Sequence, residues 1–440
     1  MIESSDRSAL QKLKERKIDF SAFVEKTRPI VSEVKEQGDS AILRFVKQFD
    51  KKELSHVEVD EKRINDAEKQ VSETLKEALR TAEKNILKFH AAQMPKEWWI
   101  EILPGIEAGQ LVRPLDRVGC YIPGGKYPLV STVLMTVLPA KIAGVKEIVV
   151  CTPKACPEIL FACKLCGVGR IFEVGGAMAI AAMAYGTETI PKVDKIVGPG
   201  NLYVSAAKKL VYGDVGIDFI AGPSEVVIIA DENSNPSYIA ADLLAQAEHG
   251  GDSMALCITP SKKLAGGVIE ALKRGLETLP TKEMAKISLD AQGAIILVKS
   301  LEEAFEISNF LAPEHVEIFI EDAAEWVKFI ENAGSVFLGQ MASVAAGDYA
   351  SGPNHVLPTG GFASAQSGLS VKDFIKTPTV QRLTYEGLRQ IAPTIIALAE
   401  AEGLAGHAAS IKTRIDNSGM PIKKMNHRAA ETLKTSGGCF

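Results

Sequence analysis

The chain has 440 residues, of which 46% are hydrophobic and 24% charged, and its formal net charge is −5. This length is too great for a single hydrophobic core, so we expect an ordinary globular protein of two or three domains. Because there is no basic excess to neutralise phosphates, the composition argues against a nucleic-acid-binding protein.

The sequence predicts neither export nor membrane insertion. The start, MIESSDRSALQKLKERK, is polar and charged, so we expect no secretory signal. The longest apolar stretch, residues 130–150, is interrupted by Pro139 and Lys146, which argues against a membrane span. The seven cysteines are expected to be free thiols in a cytoplasmic protein. Those between Cys151 and Cys166 fit a buried strand–helix unit better than a cysteine metal site.

In chain order, the predicted elements change from helices to alternating strands and helices. Residues 1 to about 105 have apolar positions at helical spacing. From about 110, apolar runs such as EIVVC and EVVIIA alternate with helical stretches, which is typical of parallel strands buried on both faces. Two groups, about 110–230 and 225–345, predict two doubly wound units in tandem. After Gly361 the pattern is helical again.

Glycine-rich corners mark the predicted ends of several strands. The chain has no G-x-G-x-x-G fingerprint and no phosphate-binding G-x-x-x-x-G-K-[ST] loop. It has glycine corners at 121–125, 175–176, 198–201 and 222–225, and most of them follow an apolar run. Open α/β sheets bind ligands at such places. Each corner taken alone is explained equally well as a tight turn.

The segment from Asn235 to Gly251 is predicted to be one complete helix. Asn235 is a good N-cap, Pro236 fits the first turn, and the glycine pair that ends at Gly251 fits the C-terminal stop. Gln246 and His249 are three residues apart, so they share a face and could bind one metal ion. The alternative is that His249 is only a favourable charge at a helix C-terminus.

Two further polar segments follow. The pair Glu314-His315 stands at a corner before a strand-like run and could supply two proton carriers, although an exposed corner is the simpler interpretation. Residues 347–361 are predicted to form a long irregular loop, and such loops are usually functional. Within this loop Asp348 offers a hard oxygen ligand, and His355 could orient a ligand, contact substrate or stabilise the loop.

The last polar cluster, Glu402 to His407, flanks a predicted helix junction and could reach the site of a neighbouring subunit. Two solvated polar residues at a helix break are the alternative. Together, two histidines, an aspartate and an amide oxygen could form a zinc-type site, leaving Glu314 and His315 for acid–base chemistry. We therefore interpret the chain as a metal-dependent enzyme.

From about residue 30 to 417 the chain resembles the histidinol dehydrogenase family. The resemblance rests on ordered motifs: Tyr121-Ile-Pro-Gly-Gly125, Ile196-Val-Gly-Pro-Gly-Asn201, Ala221-Gly-Pro-Ser-Glu225, Leu243-Leu-Ala-Gln-Ala-Glu-His249, Ala312-Pro-Glu-His315, Gly352-Pro-Asn-His-Val-Leu-Pro358, and Ala401-Glu-Gly-Leu404 with His407.

The resemblance implies a role for each matching residue. Zinc ligation is implied for Gln246, His249, Asp348 and His407, and acid–base catalysis for Glu314 and His315. Substrate contacts are implied for Ser224, Gln246, His249, His315, Asp348, His355, Glu402 and His407. Contacts with NAD are implied for Tyr121, Asn201 and the position of Met178. The family is a homodimer in which the C-terminal tail completes the partner's site.

The implied domains are Rossmann-like but incomplete, with helical extensions at both ends. We expect an N-terminal helical arm at 1–30 and a first Rossmann-like domain made of 31–110 with 231–370. A second Rossmann-like domain, with the NAD-binding corners, is expected at 111–230. A helical tail at 371–440 is expected to contact the partner subunit.

The implied reaction is the oxidation of L-histidinol to L-histidine through histidinaldehyde, with one zinc ion per subunit and two NAD molecules. Zinc would position the substrate, His315 would take the hydroxyl proton, and Glu314 would activate water. One departure stands out, because Met178 replaces the usual glutamine and removes a hydrogen bond worth about 0.5–1.5 kcal/mol, or up to tenfold in NAD affinity.

Three alternatives remain at this point. Met178 would also suit a related zinc and NAD dehydrogenase that acts on another small alcohol, such as a sulfonated propanediol. A zinc hydrolase uses a similar ligand set but would leave the glycine corners without a purpose. A non-catalytic metal-binding protein would leave Glu314 and His315 unexplained.

Overall fold

The computed structural model describes residues 1–16, 19–124 and 128–416. The chain divides into two compact units. The larger unit contains Met1–Pro95 and Pro114–Lys376, and the smaller unit contains Lys96–Arg113 and the chain from Thr377 onward.

The strands and helices have the following bounds. The strands are β1 (Ile2–Glu3), β2 (Trp98–Leu103), β3 (Ile106–Gln110), β4 (Arg113–Pro114), β5 (Arg117–Tyr121), β6 (Glu147–Cys151), β7 (Arg170–Phe172), β8 (Lys195–Val197), β9 (Gly216–Ile217), β10 (Glu225–Ala230), β11 (Met254–Thr259), β12 (Gly293–Leu297), β13 (His315–Phe319), β14 (Ser335–Leu338), β15 (Ile375–Lys376) and β16 (Thr379–Leu383). The helices are α1 (Arg7–Lys14), α2 (Ser21–Phe45), α3 (Glu61–Ala67), α4 (Glu73–Ala91), α5 (Val130–Ala143), α6 (Pro157–Leu165), α7 (Gly176–Tyr185), α8 (Leu202–Val211), α9 (Pro236–Ala247), α10 (Lys262–Thr278), α11 (Lys282–Gln292), α12 (Leu301–Leu311), α13 (Ala323–Trp326), α14 (Val344–Tyr349), α15 (Tyr385–Ala401) and α16 (Ala405–Asp416).

The larger unit contains two parallel sheets. One has six strands in the order β1-β12-β11-β10-β13-β14, and the other has five in the order β7-β6-β5-β8-β9. Apart from the edge strand β1, each sheet starts at a central strand, β10 or β5, winds outward on one side and then crosses to the other, which is the doubly wound arrangement. The predicted α/β fold class, with two such incomplete Rossmann-like units, is confirmed.

Helices cover both faces of each sheet, which explains the continuous apolar runs in the sequence. All six residues of β10 and all six of β11 are buried. The register of β10 against β13 pairs Val226 with His315 and Ala230 with Phe319. Parallel strands between two helical layers have no solvent-facing side, so their sequences lack polar alternation.

The packing of the N-terminal part differs from the predicted domain division. Helices α2, α3 and α4 pack with the helices of the five-stranded sheet, so residues 31–91 belong with 111–230 and not with 231–370. The predicted arm at 1–30 begins with β1, which joins the six-stranded sheet beside β12. Helical periodicity identifies a buried face but does not identify the sheet that covers it, so the sequence could not settle this point.

The smaller unit contains a three-stranded antiparallel sheet in the order β16-β3-β2, and the helices α15 and α16. Two predictions need correction here. Residues 98–103 and 106–110 form strands although the whole region to about 105 was predicted to be helical. The tail predicted to be helical from 371 contains strands β15 and β16 before its first α-helix, α15. Short apolar runs such as WWIEIL fit a strand or a helix equally well, so tertiary pairing decides. The tail from 417 on lies outside the described residues.

No helix within the described ranges combines the length and the apolar character that crossing a membrane requires.

Candidate active site

A cavity of about 340 Å³ lies at the amino ends of β10 and β13. Its polar lining comes from five separate parts of the chain: Ser131, Ser224, Gln246, His249, Glu314, His315, Asp348, Tyr349, His355 and Thr359. The opposite wall includes Pro123 and Pro199, which follow β5 and β8 of the five-stranded sheet. The amino ends of one sheet therefore face the carboxyl ends of the other across one cavity.

Glu314 and His315 are both buried at the start of β13. The carboxylate Oε2 of Glu314 accepts a hydrogen bond from the backbone N–H of Glu225 at 2.8 Å. The Nδ1 of His315 lies 2.9 Å from the backbone carbonyl oxygen of Glu225. Since a carbonyl can only accept, Nδ1 carries the proton and donates it. The other nitrogen, Nε2, keeps its lone pair and lies 3.9 Å from Oδ1 of Asp348.

Burial shifts the pKa of these two side chains in opposite directions. It raises the pKa of Glu314 well above its usual value, and the nearby charges of Glu225 and Asp348 add to the effect. It lowers the pKa of His315, although Asp348 opposes the shift. Both environments favour the uncharged form, so His315 is a neutral imidazole with a free acceptor nitrogen.

Gln246 lies in the last turn of α9, which begins as predicted with Asn235 as its N-cap. The helix ends at Ala247 and not near Gly251 as predicted, so His249 lies two residues beyond it. The Gln246 side chain is buried, and its amide oxygen and nitrogen have no hydrogen-bond partner among the described residues. Such a group costs about 1–3 kcal/mol of desolvation, so it calls for a ligand. The Nδ1 of His249 donates to the carbonyl oxygen of Ala245 at 3.0 Å, which leaves Nε2 free. Histidines that bind metals are usually oriented in this way.

Asp348 lies in the last turn of α14, so the segment predicted to be irregular from 347 begins with helix. The Nδ1 of His355 donates to the backbone carbonyl oxygen of Asp348 at 2.9 Å, and its Nε2 lies 3.3 Å from the hydroxyl of Thr132. Burial lowers the pKa of His355. The loop after α14 thus folds back on the helix and fixes the backbone that carries Asp348.

Three of the four residues predicted to bind zinc, Gln246, His249 and Asp348, line this one cavity. The fourth, His407, lies in the first turn of α16 in the smaller unit, and Glu402 is the residue immediately after α15 there. Both side chains are exposed on that unit. Over residues 1–16, 19–124 and 128–416, no three His, Cys, Asp or Glu side chains are grouped as a metal site. The metal site stays a prediction.

A second cavity, of about 680 Å³, adjoins the first, because Pro123 lines both. The three residues predicted to contact a cofactor, Tyr121, Met178 and Asn201, all line it. Tyr121 ends β5, and its hydroxyl oxygen accepts a hydrogen bond from the N–H of Gly176, the first residue of α7, at 3.1 Å. This cavity lies at the carboxyl ends of the five-stranded sheet, where its strand order reverses.

Two glycine corners at the second cavity are required by close backbone approach. A Cβ at Gly198, where φ is 114°, would lie 2.2 Å from the carbonyl oxygen of Tyr121. A Cβ at Gly175 would lie 2.4 Å from the side chain of Pro153. Only glycine fits both positions, so these corners bring the carboxyl ends of the strands together. Gly125, in the first predicted corner, lies outside the described residues.

Two buried charged residues near the site, Arg16 and Glu317, were not among the predicted site residues. The Arg16 side chain is buried against Glu225, and nothing in its local sequence indicates this. Glu317 lies inside the buried strand β13, and its Oε1 accepts a hydrogen bond from the N–H of Val344, the first residue of α14. Burial and the nearby Asp242 raise its pKa to about 8. A carboxylate within an apolar strand was the signal that could have revealed Glu317.

Comparison with known proteins identifies relatives along nearly the whole chain. The family model described as histidinol dehydrogenase matches residues 13–415. A histidinol dehydrogenase from Methanothermobacter thermautotrophicus is 49% identical over 420 residues, which are 94% of this chain and 99% of the relative. One from Bacillus thuringiensis is 49% identical over 391 residues, 88% of this chain and 91% of the relative. The crystal structure of histidinol dehydrogenase from Elizabethkingia anophelis superimposes with a TM-score of 0.91 at 40% identity, covering 95% of this chain and 98% of the other.

Proposed function

Since the chain belongs to the histidinol dehydrogenase family, and is therefore an oxidoreductase, we propose that it oxidises L-histidinol to L-histidine in two NAD-linked steps at a zinc-containing site. The observation that carries the proposal is the buried amide of Gln246, which has no hydrogen-bond partner within the described part of the chain and lines the same cavity as His249 and Asp348. These side chains share their cavity with the neutral imidazole of His315, which suits proton transfer.

The donor set fits a zinc ion. Gln246 offers an amide oxygen, His249 a ring nitrogen that is already oriented by its other nitrogen, and Asp348 a carboxylate oxygen. His407 would complete the four ligands. When bound, zinc would supply a fixed positive centre that holds a substrate nitrogen and orients the alcohol carbon.

The first oxidation needs a base for the alcohol proton, and we assign this role to His315. Its Nδ1 proton is held by the carbonyl oxygen of Glu225, so Nε2 is the atom that accepts. Asp348, 3.9 Å from Nε2, stabilises the imidazolium that forms.

The second oxidation needs water added to the bound aldehyde, and we assign this role to Glu314. Burial raises its pKa, so its deprotonated form is a stronger base than an exposed carboxylate. Over both steps one water and two NAD⁺ are consumed, and two NADH are released with the protons. The remaining polar residues, Ser224 and His355, would contact the substrate, together with Glu402 and His407.

The second cavity is the proposed site for NAD, which accepts the two electrons removed in each step. It adjoins the catalytic cavity, so the nicotinamide could enter beside Pro123 while the rest of the cofactor lies against Tyr121 and Asn201. Gly176 and Ala177, at the N-terminus of the ten-residue helix α7, line this space, and a helix N-terminus favours a phosphate. Met178 offers a thioether where the family has an amide.

We propose a homodimer whose partner subunit supplies Glu402 and His407. On the smaller unit, β2 exposes a run of large apolar side chains between 39% and 54%: Trp98, Trp99, Ile100, Ile102 and Leu103. A contiguous apolar surface of this kind is typical of an interface with another chain. The six described cysteines are free thiols, which agrees with our placement of the dimer in the cytoplasm.

The proposed function is tested by measuring NADH formation with L-histidinol and with a sulfonated propanediol. Rapid NADH formation with histidinol alone is expected. The relatives named above are histidinol dehydrogenases, so they do not favour the diol as substrate. Preference of the enzyme for the diol would overturn the substrate assignment.

A further inference from the structure

Glu225 ends the motif Ala221-Gly-Pro-Ser-Glu225, yet the proposed chemistry gives its side chain no task. It is buried at the first position of β10. Its carboxylate receives four N–H donors. Oε1 accepts from Nε of Arg16 at 2.6 Å and from the N–H of Gly360 at 2.8 Å. Oε2 accepts from Nη2 of Arg16 at 2.9 Å and from the N–H of Glu314 at 3.3 Å. All of its acceptor sites are occupied, so it is not available to a ligand.

The backbone of Glu225 contacts both proposed acid–base residues. Its N–H donates to Oε2 of Glu314 at 2.8 Å, and its carbonyl oxygen accepts from Nδ1 of His315 at 2.9 Å. A shift of this single peptide position would therefore move the carboxylate of Glu314 and change the tautomer or orientation of His315.

Arg16 holds Glu225 from the N-terminal arm, 209 residues earlier in the chain. Its side chain is only 6% exposed. Beyond the two bonds to Glu225, Nη2 donates to the carbonyl oxygen of Leu311 at 2.8 Å, and Nη1 donates to that of Leu13 at 3.1 Å. The planar guanidinium thus fixes the end of α12, just before Glu314, and the start of β10 at the same time.

We propose that Arg16 is a positioning residue for the reaction, acting through Glu225 to fix the geometry of Glu314 and His315. The inference rests on the proposed function for the roles of those two residues. A buried ion pair is poor evidence of stability, because desolvation offsets much of the attraction, and geometric specificity is the better-supported reason for such a pair. The bidentate fork is a property of arginine that lysine cannot reproduce.

The first test compares Arg16→Lys with a matched control, Arg170→Lys. Arg170 also binds a carboxylate through two N–H groups, to Glu58 at 3.0 and 3.3 Å, but it lies outside both cavities. We expect kcat of R16K to fall about 10- to 100-fold, because small misplacements of catalytic groups cost rate. KM for histidinol and zinc content should change less than about twofold, and R170K should keep the wild-type kcat.

The second test is a double-mutant cycle with Arg16→Met, Glu225→Gln and both together. The double variant leaves no buried charge unpaired, so it should fold even where a single variant does not. If the two residues act as one unit, kcat of the double variant should be as low as that of the poorer single variant. Independent losses that multiply, or wild-type kcat in a folded R16K or double variant, would overturn the inference. Absence of NADH formation in the wild-type enzyme would instead overturn the proposed function.

Discussion

Apart from the edge strand β1, the two parallel sheets have the same strand order, but they line the cavities with opposite ends of their strands. The five-stranded sheet offers the carboxyl ends of β5 and β8 to the larger cavity, which is the usual ligand site of an open α/β sheet. The six-stranded sheet offers the amino ends of β10 and β13, where Glu225 and His315 begin the strands. The rule that open α/β sheets bind ligands at their carboxyl ends therefore locates the proposed cofactor pocket. It does not locate the proposed catalytic residues, whose positions depend on individual side-chain contacts.

The largest effect is expected from His315→Asn at the amino-end site. The asparagine amide can still donate to the carbonyl oxygen of Glu225, but it offers no basic nitrogen to the alcohol. We expect kcat with histidinol to fall about 10²- to 10⁴-fold, the range for loss of a general base. Steady-state kinetics measure this, with zinc content as the control. Wild-type activity of H315N would show that His315 is not the base that accepts the alcohol proton.

Glu314→Gln should separate the two oxidations. The amide oxygen can still accept the N–H of Glu225, while the base that activates water is lost. The alcohol step should stay within about tenfold of wild type, and the aldehyde step should slow by about 10²-fold or more. Rapid-quench analysis of the bound product should find aldehyde accumulating. Equal slowing of both steps would show that the roles of Glu314 and His315 are not divided as proposed.

Gln246→Leu tests the unpartnered amide. Because no residue that the structure describes pairs with the amide, the metal-free variant should be as stable as the metal-free wild type or up to about 1–3 kcal/mol more stable, while zinc affinity falls sharply. Asn354→Leu is the matched control, since the Asn354 amide donates to Met135 O at 2.7 Å and accepts from Val356 N at 2.9 Å. That variant should be destabilised. Thermal melts with and without zinc decide the point, and a lower melting temperature for metal-free Q246L would mean that the amide has a structural partner.

The smallest effect is expected from Met178→Gln at the carboxyl-end cavity. An added amide could restore one hydrogen bond to NAD, worth about 0.5–1.5 kcal/mol. The site is 4% exposed and packed in the apolar core, so desolvation should offset part of that gain. We expect NAD to bind less than about tenfold more tightly, measured by calorimetry. Weaker binding would show that this position serves packing in this chain and not cofactor recognition.

The sequence predicted local elements well and long-range packing poorly. The doubly wound sheets followed from the apolar runs, and the start of α9 followed from its N-cap Asn235. The contact of Arg16 with Glu225 could not be predicted, because neither residue indicates a partner 209 positions away. The sheet covered by residues 31–91 was also mispredicted, since an amphipathic helix does not identify the surface it packs on.

The most direct test of the account counts the NADH formed for each L-histidinol consumed by the zinc-loaded enzyme. We expect two NADH per substrate, with L-histidine as the product and one zinc ion per subunit. One NADH per substrate with free aldehyde as the final product would contradict this expectation, because the amino-end site would then catalyse only the first oxidation.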